Sequence, residues 1–271
     1  MINFFNILSR CFDLLLSPFR ALSPFWGLAA VSLLTAIFIL LVYRFASNQE
    51  AIRREKKRIQ GHFLGIYLFK DSVRQIFLSL GRLLLSIARY LAHSLPSLLI
   101  VIVPILLVCV QLDLRYGRRG LEVGESVNVG IRWSGGADPQ ALLQGSPGLI
   151  VETPPVRIAE RRETDWRVRV EHLGDYALAF AAGKTRVGIH IVSGKRVVPI
   201  FPETGKPGWR NYLLAPGDDY LSDDASFRGI FIDYPHRRID VFGLHLHWAI
   251  VYFALAIVFG FILKRPLGVE F

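Results

Sequence analysis

Three stretches of the chain are apolar on every side. Phe25–Tyr43 is 19 residues without a charge, Leu95–Val110 is interrupted only by Pro96, Ser97 and Pro104, and His247–Leu263 is 17 residues without a formal charge. A membrane crossing takes about 20 mainly apolar residues, with a range of roughly 17–25. A soluble amphipathic helix would show one apolar stripe, not an apolar surface all round. The pattern predicts transmembrane helices over residues 25–43, 95–111 and 247–263, with residues 264–271 as a short tail.

Two other segments show helical periodicity with polar positions interleaved. Over residues 1–20, Phe4, Phe5, Leu8, Phe12, Leu15, Leu16 and Phe19 recur at helical spacing, and Pro18 and Pro24 end the run. This predicts an interfacial amphipathic helix; packing against the first span is the alternative. The segment lacks the basic start and small-residue cleavage site of a signal peptide, and Arg10 before Cys11 spoils a lipoprotein site.

Residues 44–94 predict a helical hairpin. Ser47 with Glu50 and Ser72 with Gln75 offer capping boxes, and Gly65, Lys70 and Asp71 mark a turn between them. The return helix places Val73, Phe77, Leu80, Leu84, Ile87 and Leu91 at steps of 4, 3, 4, 3 and 4, a heptad seam. Ile76, Leu83 and Tyr90 form a second apolar line beside it.

Residues 112–246 switch to a period of two. Leu121, Val123, Val127, Val129 and Ile131 recur; Trp166, Val168 and Val170 alternate with Arg167, Arg169 and Glu171; Val187, Ile189 and Ile191 alternate as well. Ser193-Gly194-Lys195 reads as a hairpin turn into Val197, Val198 and Ile200. Further strands are expected at Gly229–Asp233 and Arg238–Leu246. Short strands with turn signals predict an extracytoplasmic antiparallel β-sandwich. The segment Glu171–Leu178, with Tyr176 after His172-Leu173-Gly174-Asp175, resembles the tyrosine corner of immunoglobulin-like and fibronectin-like sandwiches. Trp166 and Tyr176 are the fold-marking residues.

Charge fixes the topology. The chain carries 32 Lys and Arg against 22 Asp and Glu, a formal net charge of +10. Residues 44–94 hold ten basic and three acidic side chains, whereas residues 112–246 hold 18 and 17. The near-neutral domain excludes a DNA-binding face. An excess of Lys and Arg marks the cytoplasmic side, so the hairpin and the tail with Lys264 and Arg265 lie inside, and the N-terminus and residues 112–246 outside. Trp26, Tyr43 and Trp248 stand at span ends, as in an aromatic belt. Arg53, Arg54, Lys56, Lys57 and Arg58 are candidates for docking to anionic lipid headgroups.

Catalytic chemistry has little to build on. No G-x-S-x-G, Walker loop, H-E-x-x-H or G-x-G-x-x-G occurs, and the spans hold no charge of the kind that marks a pump. Cys11 and Cys109 lie in apolar segments, so neither a disulfide framework nor a zinc cluster is expected. The acidic run Gly217–Asp224 does not follow EF-hand spacing. His245 and His247 would share a strand face and could hold a metal or a haem, without a third partner in view.

The stretch Asn48–Arg58 (NQEAIRREKKR), the heptad return Val73–Leu91 and Pro96 at the start of the second span resemble the plan of the YidC/Oxa/Alb insertase superfamily, including its three-span members. The resemblance covers residues 25–111 and 247–271 and carries over no functional residue. It implies a membrane-protein insertase or chaperone. The residues themselves point first to a non-enzymatic protein of the bacterial inner membrane, an accessory, scaffold or assembly subunit whose outer sandwich is an interaction module and which needs no cofactor. Its partners would be the bilayer, anionic headgroups and other membrane-protein subunits or further copies of the chain. A His-ligated redox subunit is a third reading.

Overall fold

The structure, a computed structural model, describes residues 2–19, 22–46, 49–68, 73–133, 141–182, 185–208, 211–212, 221 and 227–269. It combines α-helices with antiparallel β-sheets. The chain divides into two compact units, one of Met1–Gly27 with Cys109–Trp248, the other of Leu28–Val108 with Ala249–Phe271. Ser47, Ser72, Lys70, Asp71 and the acidic run apart from Leu221 lie outside the described residues.

In the first unit, helix α1 (Ile2–Leu16) buries Ser9, Phe12 and Leu16, three positions at steps of 3 and 4 on one face. A short 3-10 turn, Ser17–Phe19, follows. The strands are β1 (Ser126–Trp133), β2 (Leu142–Gly145), β3 (Leu149–Val151), β4 (Val156–Ile158), β5 (Glu163–Val170), β6 (Asp175–Ala182), β7 (Thr185–Val192), β8 (Glu203–Gly205), β9 (Phe227–Ile232), β10 (Ile239–Val241) and β11 (Leu244–Leu246). One sheet runs β3-β5-β1-β9-β8 with β4 also on β5, a second runs β2-β6-β7, and β10 pairs with β11.

The period of two decides which residues enter the core. Val127, Val129, Ile131 and Trp133 of β1 are buried, and so are Thr164, Trp166, Val168 and Val170 of β5. The antiparallel register sets Val129 opposite Trp166 and Val127 opposite Val168. From the second sheet come Tyr176, Leu178, Phe180, Ile189 and Ile191, and these share one hydrophobic cluster with the buried residues of β1 and β5 other than Thr164. Trp166 meets Phe180 with ring centroids 5.5 Å apart.

Two strand expectations are corrected. Gly194 does turn with a positive φ of 106°, but residues 197–200 join no ladder. Val197 and Ile200 are buried there, and the Ile200 amide donates to the Leu114 carbonyl instead. Residues 238–246 are a hairpin, not one strand. Phe242 and Gly243 both take positive φ, 51° and 84°, the pair of left-handed residues that a tight two-residue hairpin turn demands.

In the second unit and across its borders run helices α2 (Pro24–Ala46), α3 (Gln49–Leu68), α4 (Val73–Leu112) and α5 (Trp248–Leu263). Pro24 opens α2 at the position where a missing amide costs nothing. Two described stretches, Pro24–Phe45 and Leu98–Gly117, are long and apolar enough to cross a membrane; Trp248–Leu263 is a shorter apolar helix of 16 residues. No break in the helix falls at residue 95. α4 runs unbroken for 40 residues through Pro96 and Pro104, a length of about 60 Å at 1.5 Å per residue.

Within this unit α2 and α5 are joined by hydroxyls. Ser32 Oγ donates to the Tyr252 carbonyl at 3.1 Å, and the Tyr252 hydroxyl donates to Thr35 Oγ1 at 3.2 Å. Ser32, Thr35 and Tyr252 are all buried, so these bonds satisfy groups that would otherwise lose their water.

Candidate functional site

The basic run sits on α3. Arg58 pairs with Glu55 at 2.6 Å, and Glu55 is buried. The other carboxylate oxygen of Glu55 is buried and unpartnered among the described residues. Arg54, Lys57 and Arg58 are exposed and Lys56 is half-buried; the surroundings of the Arg53 and Val73 side chains lie outside the described residues.

The heptad seam of α4 faces outward. Phe77, Leu80, Leu84 and Leu91 are 69%, 41%, 59% and 56% exposed, and Ile87 is exposed as well. Among the described side chains of residues 74–93 the covered positions are Ser79, Leu83, Ser86 and Tyr90, at steps of 4, 3 and 4. The internal line is therefore the one through Leu83 and Tyr90, not the seam. A heptad states that a face is apolar; it does not state what covers that face. Here the apolar surface continues along the same helix through Leu95, Leu98, Leu99, Ile102 and Leu106, all exposed.

Between α2, α4 and α5 lies a cavity of about 450 Å³. Its walls include Ala36, Ile39, Leu40, Ile105, Phe253, Ile257 and Phe261. Thr35 and Tyr252 stand at one end and Lys264 at the other. The Lys264 ammonium lies 5.0 Å from the centre of the Phe261 ring, within reach of a cation–π contact.

Sequence reasoning missed the most connected side chain of the first unit. Arg115 lies in a single π-helical turn, Asp113–Gly117, and is 1% exposed. Its Nη2 donates to Asp13 Oδ1 at 2.8 Å, Ser9 Oγ at 2.9 Å and the Ser9 carbonyl at 3.0 Å. Its Nη1 donates to the Gln111 carbonyl at 2.9 Å and to Gln111 Oε1 at 2.8 Å, and Nε to Asp13 Oδ1 at 3.1 Å. The Phe12 ring lies 5.8 Å from the guanidinium carbon. A buried guanidinium must fill its donors or cost several kcal/mol; here α1 accepts four of these six bonds. Beside it, Trp248 Nε1 donates to Asp113 Oδ1 at 3.1 Å.

A second buried arginine, Arg237, donates to the carbonyls of Arg118, Lys195 and Arg196. Burial lowers its pKa. It replaces ladder pairing for the segment around residue 195, which no strand covers.

The remaining sequence candidates fall as follows. Trp166 is buried in the shared core. The Tyr176 hydroxyl donates to the His172 carbonyl at 2.7 Å, four residues back. His245 pairs with Asp240 across the β10–β11 ladder, and the His247 ring lies 5.6 Å from Trp248. Among the described residues no three His, Cys, Asp or Glu side chains approach closely enough to hold a metal ion. Cys11 is exposed and Cys109 half-buried, both as free thiols. No family model, curated protein or solved structure matches the chain.

Proposed function

We propose that this chain is a non-enzymatic, membrane-embedded subunit that docks onto a larger membrane assembly. In this reading α2, the 95–112 part of α4, and α5 cross the bilayer of the bacterial inner membrane. The two larger sheets form an extracytoplasmic sandwich, and α3 with the first half of α4 forms the cytoplasmic arm. The basic run of α3 and the charge balance of residues 112–246 support that orientation. The Tyr176–His172 bond and the core common to both sheets support the sandwich.

The observation that carries the proposal is the outward seam of α4. Phe77, Leu80, Leu84 and Leu91 expose a face too apolar for water. The face belongs to a helix whose other half is a candidate span. A membrane-proximal partner fits both facts. The experiment is solubilisation of native membranes in mild detergent, then native electrophoresis and mass spectrometry of what co-migrates. A defined high-mass assembly that disappears in a Leu80→Glu, Leu84→Glu variant is the expected result. A lone species of monomer mass, unchanged by the variant, overturns the reading.

The insertase reading asks for a polar cavity among the spans. Apart from Thr35, Tyr252 and Lys264, the residues lining this cavity are alkyl, aromatic or glycine, which favours the docking subunit over it.

A further inference from the structure

We propose that the cavity between α2, α4 and α5 holds one acyl chain of an anionic membrane phospholipid, with its headgroup at Lys264. The proposal rests on the reading of these three helices as membrane helices.

The shape fits a chain and not a compact solute. From Tyr252 to Lys264 is twelve positions of α5 and its continuation, about 18 Å at the helical rise. The walls along that path are Ile257, Phe253 and Phe261 on one side and Ala36 and Ile39 on the other. At one end the path is closed by the bonded pair Thr35 and Tyr252. Two thirds of the way along stands Gly260, where an added Cβ would meet nothing within 4 Å. The groove is thus open at Gly260, with room for methylene groups beside the helix backbone.

Charge selects the headgroup. Lys264 lines the open end, Arg265 follows it, and Arg44 donates to the Leu267 carbonyl at 3.2 Å near the same end. No Asp or Glu occurs in residues 24–46, 73–112 or 248–269. These helices offer no carboxylate as a complement to the Lys264 ammonium. A phosphate at the membrane surface supplies it, while the lysine stem stays over Phe261.

The test uses the full chain, delipidated in mild detergent and titrated by native mass spectrometry with phosphatidylglycerol or phosphatidylcholine. One phosphatidylglycerol is expected to stay bound, with about fivefold preference over phosphatidylcholine for the single charge at Lys264. Lys264→Gln should abolish the preference, and Gly260→Phe should abolish the adduct while the melting temperature holds. Equal retention of both lipids, or an adduct that survives Gly260→Phe, overturns the proposal. So does photocrosslinking at position 260 that captures an apolar peptide and no lipid. Carbonate extraction of native membranes is run in parallel. Release of the chain overturns the membrane reading itself; retention without an adduct overturns only the lipid site.

Discussion

Arg115 and Asp13 stand 102 residues apart in the chain and share one carboxylate oxygen, which accepts from Arg115 Nη2 at 2.8 Å and Nε at 3.1 Å. Arg115 is buried, while the Asp13 side chain is 35% exposed. Asp13→Ala should strand a buried cation and cost about 3 kcal/mol, the low end for a broken buried pair because Asp13 keeps some solvent. Adding Arg115→Met should recover most of that loss, since an apolar residue of similar length has no donors to fill. Thermal unfolding of the two single variants and the double variant checks this. Additive losses would show that the pair is not coupled.

The Tyr176 hydroxyl is the next contact open to a clean deletion. Tyr176→Phe keeps the ring, which is buried, and removes only the bond to the His172 carbonyl. The expected loss is about 1 kcal/mol, read as a lower denaturation midpoint. Gly148→Ala should cost more. Its φ is +93° and its Cβ would lie 2.8 Å from the Tyr176 ring, so backbone and packing both object.

Asp165 gives a pH signature. Its Oδ1 is buried without a partner among the described residues and sits where a side chain at Gly130 would be. Burial, and then the neighbouring Glu163 charge, raise its pKa above the ordinary 3.8. Folding therefore strengthens proton binding at this group. The stability it contributes is complete below 3.8 and is lost as the pH rises through the higher folded value. Asp165→Asn should stabilise the chain at pH 7 and confer no advantage below 3.8. Denaturation of both proteins at the two pH values decides it; an equal benefit at both would refute the ionisation argument.

The seam of α4 makes a prediction of a different kind. Leu80→Glu with Leu84→Glu changes exposed positions only, so the melting temperature should move little, with each substitution within about 0.5 kcal/mol. Any assembly built on that face should nevertheless be lost. A large drop in stability would mean that the seam packs within the chain.

What the sequence disclosed divides by length and by distance. Val127, Val129 and Ile131, and Trp166, Val168 and Val170, announce their strands because the alternation lasts long enough to register. β3, β4 and β8 are three residues each, too short to show any period. The heptad of α4 was legible as an apolar face, but its orientation depends on what Ser79 and Ser86 sit against, which no periodicity encodes. Arg115 reads as an ordinary flank of an apolar stretch. The signal that could have exposed it lies elsewhere: Ser9, Asp13 and Leu16 share one face of α1, and a carboxylate in line with buried positions requires a cation from somewhere.

That requirement has a consequence for how the protein is made. Asp13 leaves the ribosome 102 residues before Arg115 does. At 5–20 residues per second that is roughly 5–20 s. During that time Ser9 and Asp13 have no guanidinium to receive, and the first helix must be kept from other partners while α2, α3 and α4 emerge. The first helix of the chain thus waits for three later helices before Arg115 can reach it, while the strands of residues 126–246 are still to be made.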